Sequence, residues 1–427
     1  MKKVFLHPGK CLPVVVASSL LLLTSYAPGV QAAAAPEGKI PNQFIIKLAP
    51  GQRALDVVPD IALKHGLRLG HTYSHAFNGF SARVPAARLK KLKNDPRIQS
   101  IIPDQFINLV ARGGKPKGGG GTTSPLPAQI IPSGVSRING ELSSTVTGDG
   151  SGSVNVDVAI IDTGITKQSD LNVVGGKNCL GGSPKNYKDE NGHGTHVAGT
   201  VGARDNDIGV VGVAPGARLW AVKVLDANGS GSWSSVICGI DYVASNASTI
   251  EVANMSLGGL GNAGSCTDGG MREAICNASD AGVTFVVAAG NDASDTATQA
   301  PASYPEVITV SALADFDGTG GSAGSPTCRY DIDDTFADFS NYGDEVDIIA
   351  PGVCITSTWN DGTLATISGT SMAAPHVAGA AALYKSQYPQ ASPEEVKNGL
   401  QSNGQYDWSA ADDRDGVQEP LLDISQL

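Results

Sequence analysis

The chain has little charge: only 17% of its 427 residues are Asp, Glu, Lys or Arg, while 53 are glycine. That composition excludes a solvated, disordered polyelectrolyte and implies a compact, loop-rich protein. A basic surplus is also missing. The formal net charge of -11 argues against a nucleic-acid partner, which would require a face of Lys and Arg. No Cys-x-x-Cys pair occurs, so neither zinc binding nor dithiol redox chemistry is expected. Beyond the N-terminal region no apolar run reaches the ~20 residues that a spanning helix needs.

The N-terminal region itself carries Lys2, Lys3 and Lys10, then an apolar run from Leu12 to Leu23, then small residues ending in Val30-Gln31-Ala32. Positive, apolar and small segments in that order read as a secretory signal peptide over 1–32, cleaved after Ala32. The expectation is a secreted product, extracellular or periplasmic, with no membrane attachment once the signal is gone. Cys11 leaves with the signal, and Cys179, Cys238, Cys266, Cys276, Cys328 and Cys354 remain. An even count in an exported chain fits disulfides, although six cysteines permit 15 connectivities. The expected pairs are Cys179–Cys238, Cys266–Cys276 and Cys328–Cys354.

Three further segments follow. Residues 33–111 read as a small α+β domain: Phe44 to Leu48 is strand-like, Ala54 to His65 helical, Gly79 to Val84 an alternating strand, Ala86 to Lys93 helical and Ile98 to Ile102 a closing strand. Helix and strand signals in a β-α-β-β-α-β order point to a ferredoxin-like sandwich. This domain is rich in Lys and Arg and the remainder is acidic, so the two are expected to dock. Residues 112–127, with Gly118 to Gly121 in a row, read as a flexible, easily cut linker. Residues 128–427 alternate apolar runs (Val156–Ile161, Arg218–Val224, Val252–Met255, Val283–Ala288, Val307–Ser311) with helical stretches (His193–Gly202, Ser232–Ala247, Met271–Ala281). Alternation of this kind implies a mostly parallel sheet flanked by helices, with the working site beyond the carboxyl ends of the strands.

Polar groups gather at that edge. Asp162 closes an apolar strand, where a buried carboxylate needs a hydrogen-bonding partner. His193 stands between glycines at the start of a small-residue helix. Ser371 opens another helix, Thr370 onward, whose small apolar residues lack a polar face and so imply burial on most sides. A serine there suits a helix cap and equally a nucleophile, and this stretch by itself leaves both open. Aspartate, histidine and serine together suit nucleophilic acyl transfer, and Ala289-Gly290-Asn291 offers an amide for the oxyanion.

The stretches Asp162-Thr163-Gly164, His193-Gly194-Thr195-His196-Val197-Ala198-Gly199-Thr200, Ser256-Leu257-Gly258-Gly259, Ala289-Gly290-Asn291 and Gly369-Thr370-Ser371-Met372-Ala373-Ala374-Pro375-His376 resemble, in order and spacing, the subtilisin-type serine peptidases. The resemblance runs from about Gln129 to the C-terminus. It implies a subtilisin-like α/β fold, a triad of Asp162, His193 and Ser371, and Asn291 as oxyanion donor. Those roles come with the family rather than from spacing. His196 and His376 are expected to be structural. Substrate would add as a β-strand to Gly229-Ser230-Gly231 and Ser256-Leu257-Gly258, with Trp233 lining an upstream pocket. Ala76-Phe77-Asn78-Gly79-Phe80 and Asp95-Pro96-Arg97-Ile98 resemble the family's propeptide, which assists folding and inhibits; cleavage is expected near Val110–Arg112. Calcium is implied at Gln129, Asp170, Arg204, Asn206, Ile208 and Val210, although the step from Asp162 to Asp170 is one residue shorter than the family's pattern. Asp315-Phe316-Asp317-Gly318 and Asp413-Arg414-Asp415-Gly416 echo an EF-hand without its first and last ligands and are expected to be solvated turns. The implied activity is that of a monomeric secreted endopeptidase made as a zymogen, acting on protein and peptide substrates. The competing expectation is an inactive binding or scaffold protein on the same fold, and the complete quartet speaks against it. An esterase would call for Gly-x-Ser-x-Gly with the acid between serine and histidine, and the chain has neither.

Overall fold

In a computed structural model of the protein, residues 38–109, 126–261 and 263–427 are described. The expected signal peptide and nearly all of the expected linker lie outside the described residues. The small domain runs β1 (Lys39–Leu48), α1 (Ala54–His65), β2 (Arg68–Tyr73), β3 (Gly79–Arg83), α2 (Ala86–Lys93) and β4 (Ile98–Leu109). Its antiparallel sheet has the order β4-β1-β3-β2, so the expected sandwich forms. The sequence left β2 unplaced, because Arg68-Leu69-Gly70-His71-Thr72-Tyr73 is mostly exposed and shows no apolar alternation. Along β1 successive side chains serve opposite faces. Ile46 and Leu48 join Val58 and Ile61 of α1 in the small domain's own core, while Ile45 joins a cluster that contains residues of the large domain.

The large domain opens with α3 (Ser133–Arg137), β5 (Asp157–Asp162), β6 (Val173–Asn178), α4 (His193–Gly202), β7 (Arg218–Lys223), β8 (Ser230–Ser232) and α5 (Trp233–Ser245). It continues with β9 (Val252–Met255), β10 (Leu257–Leu260), α6 (Met271–Asp280), β11 (Thr284–Ala288), β12 (Gln299–Ala300), β13 (Ile308–Ala314), β14 (Thr335–Phe336) and β15 (Ile348–Pro351). The hairpin β16 (Ile355–Thr358) and β17 (Leu364–Ile367) then precedes α7 (Thr370–Gln387) and α8 (Pro393–Asn403). The main sheet has the order β14-β13-β11-β9-β5-β7-β6, with β15 also against β13. Every pair in it is parallel except β13 with β14. All six residues of β5 are buried, as a parallel strand covered on both faces requires. The chain leaves β5 for β6, returns to β7 beside β5, then crosses to β9 on the other side. That reversal opens a crevice at the carboxyl ends of β5 and β9, the usual place for a ligand in such a sheet.

Helix α7 explains its own composition. Thr370 to Leu383 are all buried, packed against α4, β9, β11, β13 and β15, and only small side chains fit a helix enclosed on so many sides. The three disulfides form as expected: Cys179–Cys238, Cys266–Cys276 and Cys328–Cys354.

Candidate active site

Asp162 ends β5 and His193 begins α4. Both carboxylate oxygens of Asp162 lie 2.9 Å from His193 Nδ1, and Asp162 Oδ1 also accepts the Thr163 amide at 2.6 Å. The carboxylate is wholly buried, so the imidazole N–H is the partner such a charge needs. This contact assigns the ring proton to Nδ1. Nε2 is left buried, with no hydrogen-bond partner among the described residues. The close approach of the two elements depends on glycine at 194, where a Cβ would stand 2.2 Å from the Gly164 carbonyl and 3.1 Å from Asp162 Oδ1.

Two residues that the sequence reading passed over hold this pair. Asp189, buried just ahead of α4, accepts the amides of Asn191, Gly192 and Thr195 and the hydroxyls of Thr163 and Thr195. A carboxylate at a helix N-terminus satisfies unpaired amides and suits the helix dipole. Lys223, at the end of β7, donates to the Thr163 and Leu225 carbonyls at 2.5 and 3.1 Å and pairs with Glu190, tying down the turn after Asp162. Their signal was faint: an aspartate a few residues ahead of a helix start, and a lysine inside an apolar strand.

Ser371 is the second residue of α7. Its Oγ donates to the Ser256 carbonyl at 3.2 Å, and Ser256 Oγ donates to the Ser371 carbonyl at 2.8 Å. The second contact follows from Pro375. A proline has no N–H for the carbonyl four residues earlier, which here belongs to Ser371, and the Ser256 hydroxyl donates there. Asn254 in turn donates to Ser256 Oγ. Asn291 is oriented by Thr370, whose amide and hydroxyl both donate to Asn291 Oδ1 at 2.9 and 3.0 Å. With its oxygen so engaged, the amide's NH2 end is turned the other way. The loop carrying it hangs on buried Asn341, which donates to the Ala289 carbonyl and accepts the amides of Asp292 and Ser294.

The crevice is filled by the protein's own chain. Strand β4 runs antiparallel to β8, pairing Phe106 with Ser232, Ile107 with Gly231 and Asn108 with Ser230. On its other side Leu257 pairs with Leu109 and Gly258 with Asn108. The Leu109 amide donates to the Gly229 carbonyl at 2.9 Å. Gly229, Ser230, Gly231, Ser256, Leu257 and Gly258 are thus brought to one place, around the end of β4. Ile107 is fully buried in a cluster with Trp233, Leu257 and Ala300. Beside the β4 pairing and its apolar contacts, carboxylates bound to amides join the small domain to the large one. Asp104 accepts from the Ser234 amide and hydroxyl at the start of α5 and from Gln43. Asp241 accepts the amides of Ser74, His75 and Ala76; Lys47 pairs with Glu273 across the seam, and His75 Nδ1 lies 3.9 Å from Asp241 Oδ2.

The six residues expected around a cation also converge. Gln129 Oε1 accepts the Asn206 amide, Asn206 Nδ2 donates to Asp170 Oδ1, the Val210 amide donates to Asp170 Oδ2, the Arg204 amide reaches the Asp170 carbonyl, and the Ile208 amide donates to Asn206 Oδ1. The shortened step from Asp162 therefore still delivers Asp170 to the loop. Burial pushes the Asp170 carboxyl up to about 6. Gln129, Asp170 and Asn206 carry side-chain oxygens of the kind calcium takes, and here those oxygens accept N–H groups of the same loop. His196 and His376 are structural. Burial lowers them to about 3 and about 4, and they serve the carbonyls of Ile355 and Ala365, and of Met372, respectively. The two acidic loops differ from expectation: Asp315 and Asp413 are buried rather than solvated. Carboxylate oxygens of Asp315, Asp317 and Asp333 converge within 4.8 Å, with Arg137 Nε 3.6 Å from Asp315.

A parallel α/β domain whose crevice holds a carboxylate–imidazole pair and accepts an extended strand of its own precursor has the build of a peptidase closed by an inhibitor domain. Residues 153–417 match the Subtilase family, and residues 58–109 match the Peptidase inhibitor I9 family. Over 395 residues, covering 92% of this chain and 94% of the relative, the sequence is 35% identical to the thermostable alkaline protease of Halalkalibacterium halodurans. It is 35% identical to subtilisin E of Bacillus subtilis over 392 residues, 90% of this chain and 91% of the other. A solved cold-adapted subtilisin-like serine proteinase matches at 36% identity and a TM-score of 0.54, covering 65% of this chain and 90% of that one. The chain belongs to the subtilase family and is a subtilisin-type serine endopeptidase with an I9 propeptide domain.

Proposed function

We propose that the protein is a secreted zymogen in which Ser371 is the nucleophile, His193 the general base, Asp162 its orienting carboxylate and Asn291 an oxyanion donor. Ser371 Oγ attacks the scissile carbonyl as His193 Nε2 takes its proton, and Asp162 stabilises the imidazolium that results. The oxyanion accepts from the Asn291 amide and the Ser371 N–H. His193 then hands its proton to the leaving amine, and water repeats the sequence on the acyl-enzyme. The observation that carries this reading is β4 itself: a strand bound between β8 and β10 occupies the groove in the manner of an added substrate strand. Cleavage near Val110–Arg112 would free the domain 33–111 as a bound inhibitor, leave the peptidase domain over 128–427, and leave Gly229, Ser230, Gly231, Ser256, Leu257 and Gly258 to take substrate, with Trp233 lining the pocket that Ile107 fills. Calcium held by Gln129, Asp170, Arg204, Asn206, Ile208 and Val210 would neutralise a buried carboxylate and brace the loop. The mature enzyme is read as a monomer, released outside the cell after the signal 1–32 is removed.

The Ser371→Ala variant tests the assignment. Casein hydrolysis should fall by at least about 10⁴-fold, and the precursor should stay at full length on a denaturing gel. A self-processed Ser371→Ala chain would remove Ser371 from the role. For the cation loop, a chelator should lower the thermal midpoint of the mature enzyme, and addition of calcium should restore it; an unchanged midpoint in an enzyme free of metal argues against the loop.

A further inference from the structure

Of the four tryptophans in the chain, Trp220, Trp233 and Trp408 belong to a hydrophobic cluster or pack against one. Trp359 joins none of the clusters among the described residues. It stands half-buried at the end of the hairpin β16–β17, where its amide donates to the Thr363 carbonyl and its carbonyl accepts the Gly362 amide. A ring of this size ordinarily finds a core or an interface. This one lies on Gly192, the residue ahead of His193: a Cβ at Gly192 would stand 2.3 Å from two of the indole carbons. The indole also meets the His196 ring edge on, with centroids 6.2 Å apart and an interplanar angle of 79°. Gly192 has φ 115°, so the turn that presents His193 needs glycine for its backbone as well as for its contact with the indole.

The rest of the hairpin, a two-stranded sheet apart from the other two, grips α4 and the turn ahead of it. Thr358 Oγ1 donates to the Thr195 carbonyl and Ser357 Oγ to the His196 carbonyl, each at 2.8 Å. His196 Nε2 lies 3.0 and 3.1 Å from the Ile355 and Ala365 carbonyls, and Asn360 Nδ2 donates to the Asp189 carbonyl at 3.3 Å. Glycine at 199 permits this approach, since a Cβ there would stand 2.3 and 2.4 Å from the Ser357 and Thr358 hydroxyls. At its other end the hairpin runs into α7. Ser368 Oγ accepts the Cys354 amide at 2.9 Å, and the Gly369 amide donates to the Gly352 carbonyl at 2.8 Å, so the base of the hairpin is closed just ahead of Ser371. One braced piece therefore joins the helix that carries His193 to the helix that carries Ser371. We infer that Trp359 is a positioning residue for His193, its ring holding the Gly192 turn at the distance from α7 that proton transfer from Ser371 requires. Asp162 fixes the imidazole only at Nδ1, about which the ring can still swing with the backbone that bears it; the indole on Gly192 removes that freedom. The inference rests on the assignment of His193 as general base.

The test follows the acylation burst of Trp359→Ala, matured in trans by the parent enzyme, on a peptide nitrophenyl ester. Burst amplitude counts competent chains and the burst rate constant reports acylation, so poor folding lowers the first and a misplaced base the second. The rate constant should fall by about 10–100-fold, the cost of a displacement of about 1 Å or less. On a peptide amide kcat should fall by the same factor with KM within about twofold, because the residues that pair with β4 lie on β8 and β10. Trp359→Phe keeps a flat ring over Gly192 and should recover most of the loss. A Trp359→Ala rate constant within about threefold of the parent's, or a Phe variant no better than the Ala variant, overturns the role. Should Trp359→Ala fail to fold, Trp359→Leu, which keeps apolar volume without the ring, should acylate about tenfold more slowly or worse; an unchanged rate constant there overturns the role too. His193→Ala separates the two readings: it should acylate far more slowly than Trp359→Ala, and a His193→Ala enzyme as fast as the parent would overturn the general-base assignment itself.

Discussion

The seam between the small and large domains and the interior of the large domain both use strands covered by apolar side chains, yet they are held differently. Inside, β5, β9, β11 and α7 are closed on all sides by aliphatic residues, and separating them would expose all of that surface at once. At the seam a few apolar anchors, Ile45, Tyr73, Phe77 and Ile107, are accompanied by carboxylates bound to amides. Asp104 sits at the start of α5, and Asp241 takes three successive amides of the small domain. Such bonds are strong in place, but water replaces them on release, so their net contribution is about 1.5–3 kcal/mol each. The interior is therefore held by surface that cannot be exposed piecemeal, and the seam by bonds that water can replace.

Changes at the two places should separate cleanly. Asn291→Ala lies on the interior side, and kcat on a peptide substrate should fall by about 10²–10³-fold, a range established on subtilisin rather than derived from this geometry. Single-turnover kinetics check it, and a change confined to KM would contradict an oxyanion role. Asp104→Asn lies on the seam. It removes a charge held by the Ser234 amide and hydroxyl and by Gln43, so inhibition by the added propeptide should weaken by about 10–100-fold, on a loss of 1.5–3 kcal/mol. Titration of the mature enzyme with the variant propeptide measures it, and inhibition as strong as that by the parent propeptide would mean that Asp104 does not hold the seam.

Much of this was legible beforehand because the interior writes itself into sequence. The bounds of α1, α2, α4 and β9 follow from apolar period and small residues, while the quartet is legible through the resemblance of its motifs to the subtilisin-type family. What escaped was set by tertiary contact. Strand β2 has no alternation to show, Asp189 carries only the faint mark of an acid ahead of a helix start, and nothing around Asn341 marks it as the anchor of the Asn291 loop. The resemblance points Ser256 toward substrate alone, although the missing N–H of Pro375 makes it a partner of Ser371 as well. An Asp-x-Asp-Gly turn reads as polar wherever it lies, whereas burial of Asp315 and Asp413 is set by the tertiary fold. Helix α8 could have been found, since Ser392 and Glu395 form a reciprocal cap at its start.

The smallest effect is expected at Lys47, which meets an opposite charge across the seam. Lys47 Nζ lies 2.6 and 2.9 Å from the two oxygens of Glu273 and 3.0 Å from the Thr267 carbonyl, with the pair's side chains 14% and 8% exposed. A buried pair broken from one side leaves an uncompensated charge, which would argue for a large loss. Glu273 is not left alone, however: its Oε2 also accepts the Gly269 amide at 2.6 Å, and it stands in the first turn of α6, where the helix dipole favours a negative charge. Lys47→Met keeps the apolar stem and removes only the ammonium. Propeptide inhibition should therefore weaken by less than about tenfold, the equivalent of ~1.4 kcal/mol. A loss as large as that for Asp104→Asn would show that opposite charge, rather than carboxylates on amides, holds the seam.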